Sequence, residues 1–209
     1  MTIKRRKYNS YDKYLKHQGE KLEIGLKKKI EKFMPSHFDK DVRSFRNRFE
    51  VFKDYIEGSV LCLGARLGCE VKALIDMGFK NSIGIDINPG DNNKFVIKGD
   101  FHHMEFDSNS YDTIYTNAID HAWDLKLLSK EIFRVLKPGG KLILEIDHLL
   151  KKNEKDRFKL LKKDSKYESV LWSNIEDIKE EFKQFKFVYK CLSAYSVLLV
   201  VIFEKEKKY

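Results

Sequence analysis

Two glycines punctuate the stretch VLCLGARLGCE at residues 60–70. An apolar run of β type stops at Gly64, and a helical pattern of Glu70, Val71, Ala73 and Leu74 begins directly after Gly68. A strand, a tight turn and a helix in that order aim backbone N–H groups and a helix N-terminus at an anionic or strongly polar ligand, and glycine removes the Cβ that would block its approach. A second strand, residues 82–87, ends on Asp86, where a carboxylate can accept both hydroxyls of a ribose. Turn formation before Asn88-Pro89-Gly90 is the competing role for Asp86, and its place in a βαβ unit favours the ribose. The chemistry indicated is the binding of a nucleoside-containing cofactor.

Other candidate groups stand where strands end. Asp100 follows a short strand, and His102 and His103 come directly after it. Neighbours in an extended segment point opposite ways, so at most one of these histidines faces a pocket, and a satisfied loop histidine is the default for each. Asp120-His121 lies just beyond the fourth strand, where parallel α/β sheets place their ligands, and Asp147-His148 has a similar place after the fifth. Tyr11, Tyr14, His17 and Gln18 share the first helix, either as a lid or as packing for that helix. Arg43, Arg46, Arg48 and Lys53 could grip phosphate, but a solvated helix face is the expectation. Cys62, Cys69 and Cys191 have neither an even count nor metal-ligand spacing, so reduced thiols and no metal site are expected. Cys69 opens a helix, where a thiol pKa can fall.

Periodicity places the elements that carry these groups. Residues 10 to about 33 read as a helix ended by Pro35, and Phe38, Val42, Phe45, Phe49, Phe52 and Ile56 mark a second. Together they make a helical cap, residues 1–57, ahead of the sheet. From residue 59 strands at 59–63, 82–87, 94–98, 111–116 and 141–147 alternate with helices at 68–77 and 123–136, which implies a mainly parallel sheet with helices on both faces. KPGG at 137–140 reads as the turn between the last of these helices and its strand. A charged helical segment is expected over about 149–163, and Ser173-Asn-Ile-Glu176 has the form of a capping box that starts a helix to about Phe185. Two closing strands, about 186–192 and 195–204, are joined by a couple of residues and so form an antiparallel hairpin.

The length of 209 residues suits one α/β domain with an appendage. No apolar h-region follows MTIKRRKYNSYDKY, and the longest apolar run, 197–203, is too short to span a bilayer, so a soluble cytoplasmic protein is expected. The net charge of +9 is uneven: residues 1–50 hold 15 Lys+Arg against 7 Asp+Glu, residues 51–150 hold 11 against 15, and the remainder 15 against 10. Basic flanks of this kind can draw an acidic substrate, a nucleic acid or a membrane surface, although solvated lysines account for most of them.

The order of glycine turn, Asp86, Gly99-Asp100-Phe101, YDTIYTN at 111–117, Glu131-x-x-Arg134-x-Leu-Lys-Pro-Gly-Gly140 and terminal hairpin resembles the class I S-adenosylmethionine (SAM) dependent methyltransferases. The likeness covers about residues 58–148 by motif and the rest by element order. It implies an α/β fold with a Rossmann-like, mainly parallel sheet, a C-terminal antiparallel hairpin and an N-terminal helical cap, with residues 58–209 as the catalytic domain and SAM as cofactor. It also implies that the loop from Gly64 through Ala65 and Arg66 to Gly68 lies against the methionine part. Asp86, with Ile87 beside it, would hold the ribose hydroxyls; Asp100 would accept from the adenine amino group, with Phe101 beside the base. Asn117 would contact the methionine end or the substrate. Two positions depart from the family pattern: Cys62 stands where an acidic residue is usual, removing one contact to the SAM ammonium, and Arg66 where glycine is common, facing either the SAM carboxylate or solvent.

Methyl transfer from a sulfonium is an in-line displacement that depends on positioning, with a base needed only if the acceptor loses a proton. His121 is the candidate base and Asp120 its orienting or substrate-binding partner, with local loop hydrogen bonding as the competing role. The segment TNAID lacks the NPPY-like motif of amino-group methylation on nucleobases, so a small-molecule, sugar or lipid-like acceptor is expected, with oxygen slightly preferred. Two alternatives belong to other classes: a nucleic-acid-binding or regulatory module that keeps the fold without turnover, and a nicotinamide dehydrogenase that binds NAD(H) and not SAM.

Overall fold

The computed structural model describes residues 3–30, 35–147, 167–172, 174–193 and 198–207, without the side chains of 21–30, 35, 36 and 147. Four parallel pairings follow from the apolar β runs: β2 (Val60–Leu63) lies between β3 (Ser82–Asp86) and β5 (Tyr111–Thr116), β4 (Val96–Lys98) flanks β3, and β6 (Leu136–Asp147) flanks β5. Two antiparallel strands, β8 (Lys186–Leu192) and β9 (Leu198–Glu204), complete the sheet in the order β4-β3-β2-β5-β6-β9-β8. A separate two-stranded ribbon pairs β1 (Lys4–Arg5) with β7 (Val170–Leu171).

All four residues of β2 are buried because the sheet is covered on both sides. Leu61 and Leu63 point into a core with Leu128, Ile132 and Val135 of helix α4 (Leu125–Val135) and Ile178 of helix α5 (Ile175–Glu181). Val60 and Cys62 point the other way, into a core with Phe49 of helix α2 (Pro35–Phe49) and Val71 and Leu74 of helix α3 (Cys69–Asp76). Each fully buried Leu, Ile, Val or Phe contributes roughly 1.5–3 kcal/mol to holding these layers together. Helix α1 (Tyr11–Ile30) sends Tyr14 and Gln18 to the carboxyl ends of the parallel strands.

Several local expectations need correction. Pro35 opens α2 instead of merely ending α1, because the first helical position has no N–H bond for proline to lose. That helix ends at Phe49, yet Phe52 and Ile56 stay buried beyond it, around a 3-10 turn at Lys53–Tyr55. KPGG is not a free-standing turn: α4 runs straight into β6, and the four residues sit within that strand, where the pairing slips from Tyr111 with Leu136 to Thr113 with Lys141. Gly139 takes φ +85° there. Helix α5 is capped by Asn174, whose side-chain oxygen accepts from the Asp177 N–H; Ser173 lies outside the described residues. Residues 194–197, at the expected hairpin link, lie outside the described residues; β9 is described from Leu198. His148 and the charged segment 149–163 also lie outside the described residues. Among the described residues, no helix is long and apolar enough to cross a membrane.

Arg48 departs from the expected solvated face. Its Nε donates to both Glu145 oxygens at 3.1 and 3.0 Å and its guanidinium also reaches the Tyr115 hydroxyl at 3.1 Å, which joins α2 to β5 and β6 from inside the protein. Arg43 and Arg46 are exposed, and Lys53 pairs with Glu50 at 3.0 Å. The Glu131-x-x-Arg134 pair is likewise structural. Arg134 donates to the carbonyls of Met104 and Phe106 while Glu131 accepts the Met104 N–H, which secures the loop after β4.

Candidate functional site

The turn after β2 is shaped by its glycines. Gly64 has φ +71°, and a Cβ there would lie 2.7 Å from the Ala118 Cβ; Gly68 has φ +81°, and its Cβ would lie 2.5 Å from the Phe95 Cβ. The N–H groups of Gly64 and Ala65 both donate to the Ile85 carbonyl, at 2.9 and 3.1 Å, which ties the turn to the end of β3. There Asp86 is 7 % exposed, and its oxygens accept the Arg66 N–H at 3.0 Å and the Asn88 N–H at 2.9 Å. A carboxylate offers about four acceptor positions, so two backbone bonds fix this one while leaving capacity for two hydroxyls.

A cavity of about 260 Å³ opens at this edge of the sheet. It brings together most of the residues singled out from the sequence: Gly64, Ala65 and Arg66 of the turn, Asp86 and Ile87 after β3, Asp100 and Phe101 after β4, and Asn117 and His121 after β5. Gly68 lies beneath the turn against Phe95 and Val96, and neither it nor Asp120 lines the cavity. Tyr14 and Gln18 from α1 and Asp41 and Phe45 from α2 complete the walls.

Glu70 also lines the cavity, and its role was not evident from spacing. It is 5 % exposed, and burial pushes its carboxyl up to about 8 despite its own backbone N–H, Arg66 and Arg48, with Asp86 adding to the rise. The available signal was positional: Glu70 shares the apolar stripe of α3 with Ala73 and Leu74, where a charged residue is out of place unless it meets a ligand or partner.

Asp100 is anchored by side chains. Its Oδ1 accepts the His102 N–H at 2.9 Å and lies 3.0 Å from His102 Nδ1, and its Oδ2 accepts from the Tyr11 hydroxyl. Burial raises the Asp100 carboxyl, but the bonds from His102 and Tyr11 outweigh it and hold it below the usual range. His102 Nε2 accepts the Trp123 N–H at 3.0 Å, so the ring proton sits on Nδ1 and points at Asp100. At 1 % exposure His102 is a satisfied structural histidine, while His103 is exposed. Tyr8, Tyr11, Tyr14 and Trp123 pack around this network with ring centroids 5.4–5.6 Å apart.

His121 Nδ1 lies 3.1 Å from the Tyr167 carbonyl, which can only accept, so Nδ1 carries the hydrogen and Nε2 the lone pair. Asp120 Oδ2 is 3.7 Å from that Nε2, placed to favour the ring once it gains a proton. The Asp147 side chain and His148 lie outside the described residues. In sum, the turn, Glu70 and Asp86 offer a cradle and carboxylates suited to a nucleoside joined to an amino acid.

The family model for the methyltransferase domain matches residues 61–144. Among curated proteins, a 45-residue stretch is 58 % identical to a sterol 24-C-methyltransferase of Aspergillus fumigatus, covering 21 % of this chain and 12 % of that protein. The match thus spans about an eighth of such relatives. Among solved structures, a chain from the complex of the Haloferax volcanii Trm112 methyltransferase activator with a methyltransferase superposes with TM-score 0.63 at 16 % identity, covering 84 % of this chain and 96 % of that one. A SAM-dependent methyltransferase from Thermotoga maritima gives 0.62 at 18 %, covering 86 % and 97 %. Likeness at these identities shows the fold. The resemblance drawn from the sequence holds: the chain carries a methyltransferase domain on the fold of the class I SAM-dependent enzymes.

Proposed function

We propose that the protein is a cytoplasmic SAM-dependent methyltransferase that acts on a small-molecule, sugar or lipid-like acceptor, with oxygen the preferred atom. The observation that carries this reading is Asp86, a buried carboxylate fixed by two backbone N–H groups beside a glycine turn and aimed into the cavity. SAM supplies a methyl group activated on a sulfonium, with a neutral thioether as leaving group. In this reading the Gly64–Gly68 turn receives the methionine part, Asp86 accepts the ribose hydroxyls, Ile87 and Phe101 flank the base, and Asn117 marks the methionine end. Asp100 takes the adenine amino group in competition with Tyr11. Residues 1–57 act as the cap, and Tyr14, Gln18, Asp41 and Phe45 face the acceptor.

His121 removes the acceptor's proton at Nε2 as the bond to oxygen forms, and Asp120 steadies the resulting imidazolium. The rest of the acceleration comes from orientation within the capped cavity. The sterol 24-C-methyltransferases that share a short stretch support a lipid-like acceptor; carbon, the atom in their name, is the second choice. None of Cys62, Cys69 and Cys191 is joined in a disulfide, which suits a reducing compartment.

Calorimetric titration with S-adenosylhomocysteine, with NAD as control, tests the proposal. Binding of S-adenosylhomocysteine and not of NAD is expected. NAD binding alone would replace the reading with a dehydrogenase, and salt-sensitive RNA retention without S-adenosylhomocysteine binding would replace it with a nucleic-acid module.

A further inference from the structure

Glu70 is a buried carboxyl with no matching cation beside it among the described residues. It is 5 % exposed at the cavity wall, and the described hydrogen bonds give it no side-chain donor. The charged and titratable groups around it are Arg66 on the turn, Arg48 on α2, Asp86 at the end of β3, Cys62 on β2 and Tyr115 on β5. None supplies the missing charge. Arg48 is committed to Glu145, Asp86 is itself an anion, the Cys62 and Tyr115 protons are held on by burial, and the exposed Arg66 attracts Glu70 across the cavity wall with no hydrogen bond to it among the described ones. A buried carboxylate is costly until a cation with hydrogens to donate arrives.

We propose that Glu70, and not the residue at position 62, supplies the carboxylate that meets the α-ammonium group of the cofactor's amino-acid part, with Arg66 on the same turn facing the α-carboxylate. The inference rests on the SAM reading above and deepens it. Of the two cationic centres in such a cofactor, the sulfonium has no hydrogen to donate and the ammonium has three, so a buried acceptor selects the ammonium. Cys62 cannot serve, because its thiol is fully buried within β2 and burial pushes its pKa up. Glu70 sits at the start of α3 and couples to Asp86 and Arg66, which places it at the turn end of the cavity.

A linkage follows. Before the ligand binds, Glu70 holds its proton through neutral pH; with the ammonium in place the ionised form is favoured, and the proton leaves to solvent. Cofactor binding therefore releases close to one proton at pH 7, and affinity rises as pH increases from 6 towards 8. The stability sign is opposite. Because the folded carboxyl titrates near 8 and the unfolded one near 4.5, the ligand-free fold loses stability as pH rises between those values.

The test is calorimetry at pH 7 in buffers of different ionisation enthalpy, using S-adenosylhomocysteine and 5′-methylthioadenosine, which lacks the amino-acid part. In the wild type the first ligand should release close to one proton and the second none. Glu70→Gln keeps the shape of the protonated side chain. It should weaken S-adenosylhomocysteine about tenfold or more, abolish the proton release and leave methylthioadenosine unchanged. It should also melt higher than the wild type at pH 8 and equally at pH 5. Wild-type affinity and proton count in Glu70→Gln would overturn the assignment, and lost turnover with both intact would make Glu70 a base instead. Failure of folded wild type to bind S-adenosylhomocysteine would bring down the cofactor reading itself.

Discussion

The two halves of the cavity are built differently. Around Asp86 the fixing bonds come from backbone N–H groups two and twenty residues away, Asn88 and Arg66, and the shape comes from glycines. On the wall formed by α1, proposed to face the acceptor, the bonds run between side chains far apart in the chain: Tyr8 with Ser169 and Gln18 with Ser169. A backbone-built site tolerates little change and suits a constant ligand. A side-chain-built site can be reshaped one residue at a time, which suits specificity.

If the halves are separable, variants should divide between them. The largest effect is expected for His121→Ala, which should lower turnover by about 10²–10⁴-fold and leave S-adenosylhomocysteine affinity unchanged; equal losses in both would mean that the halves are one unit. Arg48→Ala should destabilise the fold by about 3–5 kcal/mol in denaturant titration, because it leaves Glu145 buried and unpaired. Arg48→Ala protein that remains folded should still bind the cofactor. The smallest effect belongs to Tyr11→Phe, which frees Asp100 for the adenine amino group. It should tighten S-adenosylhomocysteine by up to about fivefold, equivalent to about 1 kcal/mol. Weaker binding in that variant would show that Tyr11 holds the cofactor and does not compete with it.

The same contrast explains what could be read from the sequence. The parallel strands, the glycine turn, Asp86 and the closing hairpin were legible because each depends on residues close in the chain and on period-2 or glycine signals. Pro35 stands as well at a helix start as at a helix end, so its presence did not settle which. KPGG has turn chemistry, and only the pairing with β5 turns it into an irregularity within β6. Arg48 could not be told from Arg43 and Arg46 by type, since its partner Glu145 is 97 residues away. Glu70 left a trace as a charge on an apolar stripe, but the cavity that explains it depends on four strand ends and two helices meeting. Asp100 was placed at the right edge without its bond to Tyr11, a contact across 89 residues.

The central claim is that Asp86 holds a SAM-type cofactor by its ribose. The most direct measurement is the S-adenosylhomocysteine dissociation constant of Asp86→Ala beside the wild type, with folding checked by circular dichroism. Two charge-assisted hydrogen bonds of about 1.5–3 kcal/mol each predict a loss of roughly 10² or more. A folded variant that binds as tightly as the wild type would contradict the account.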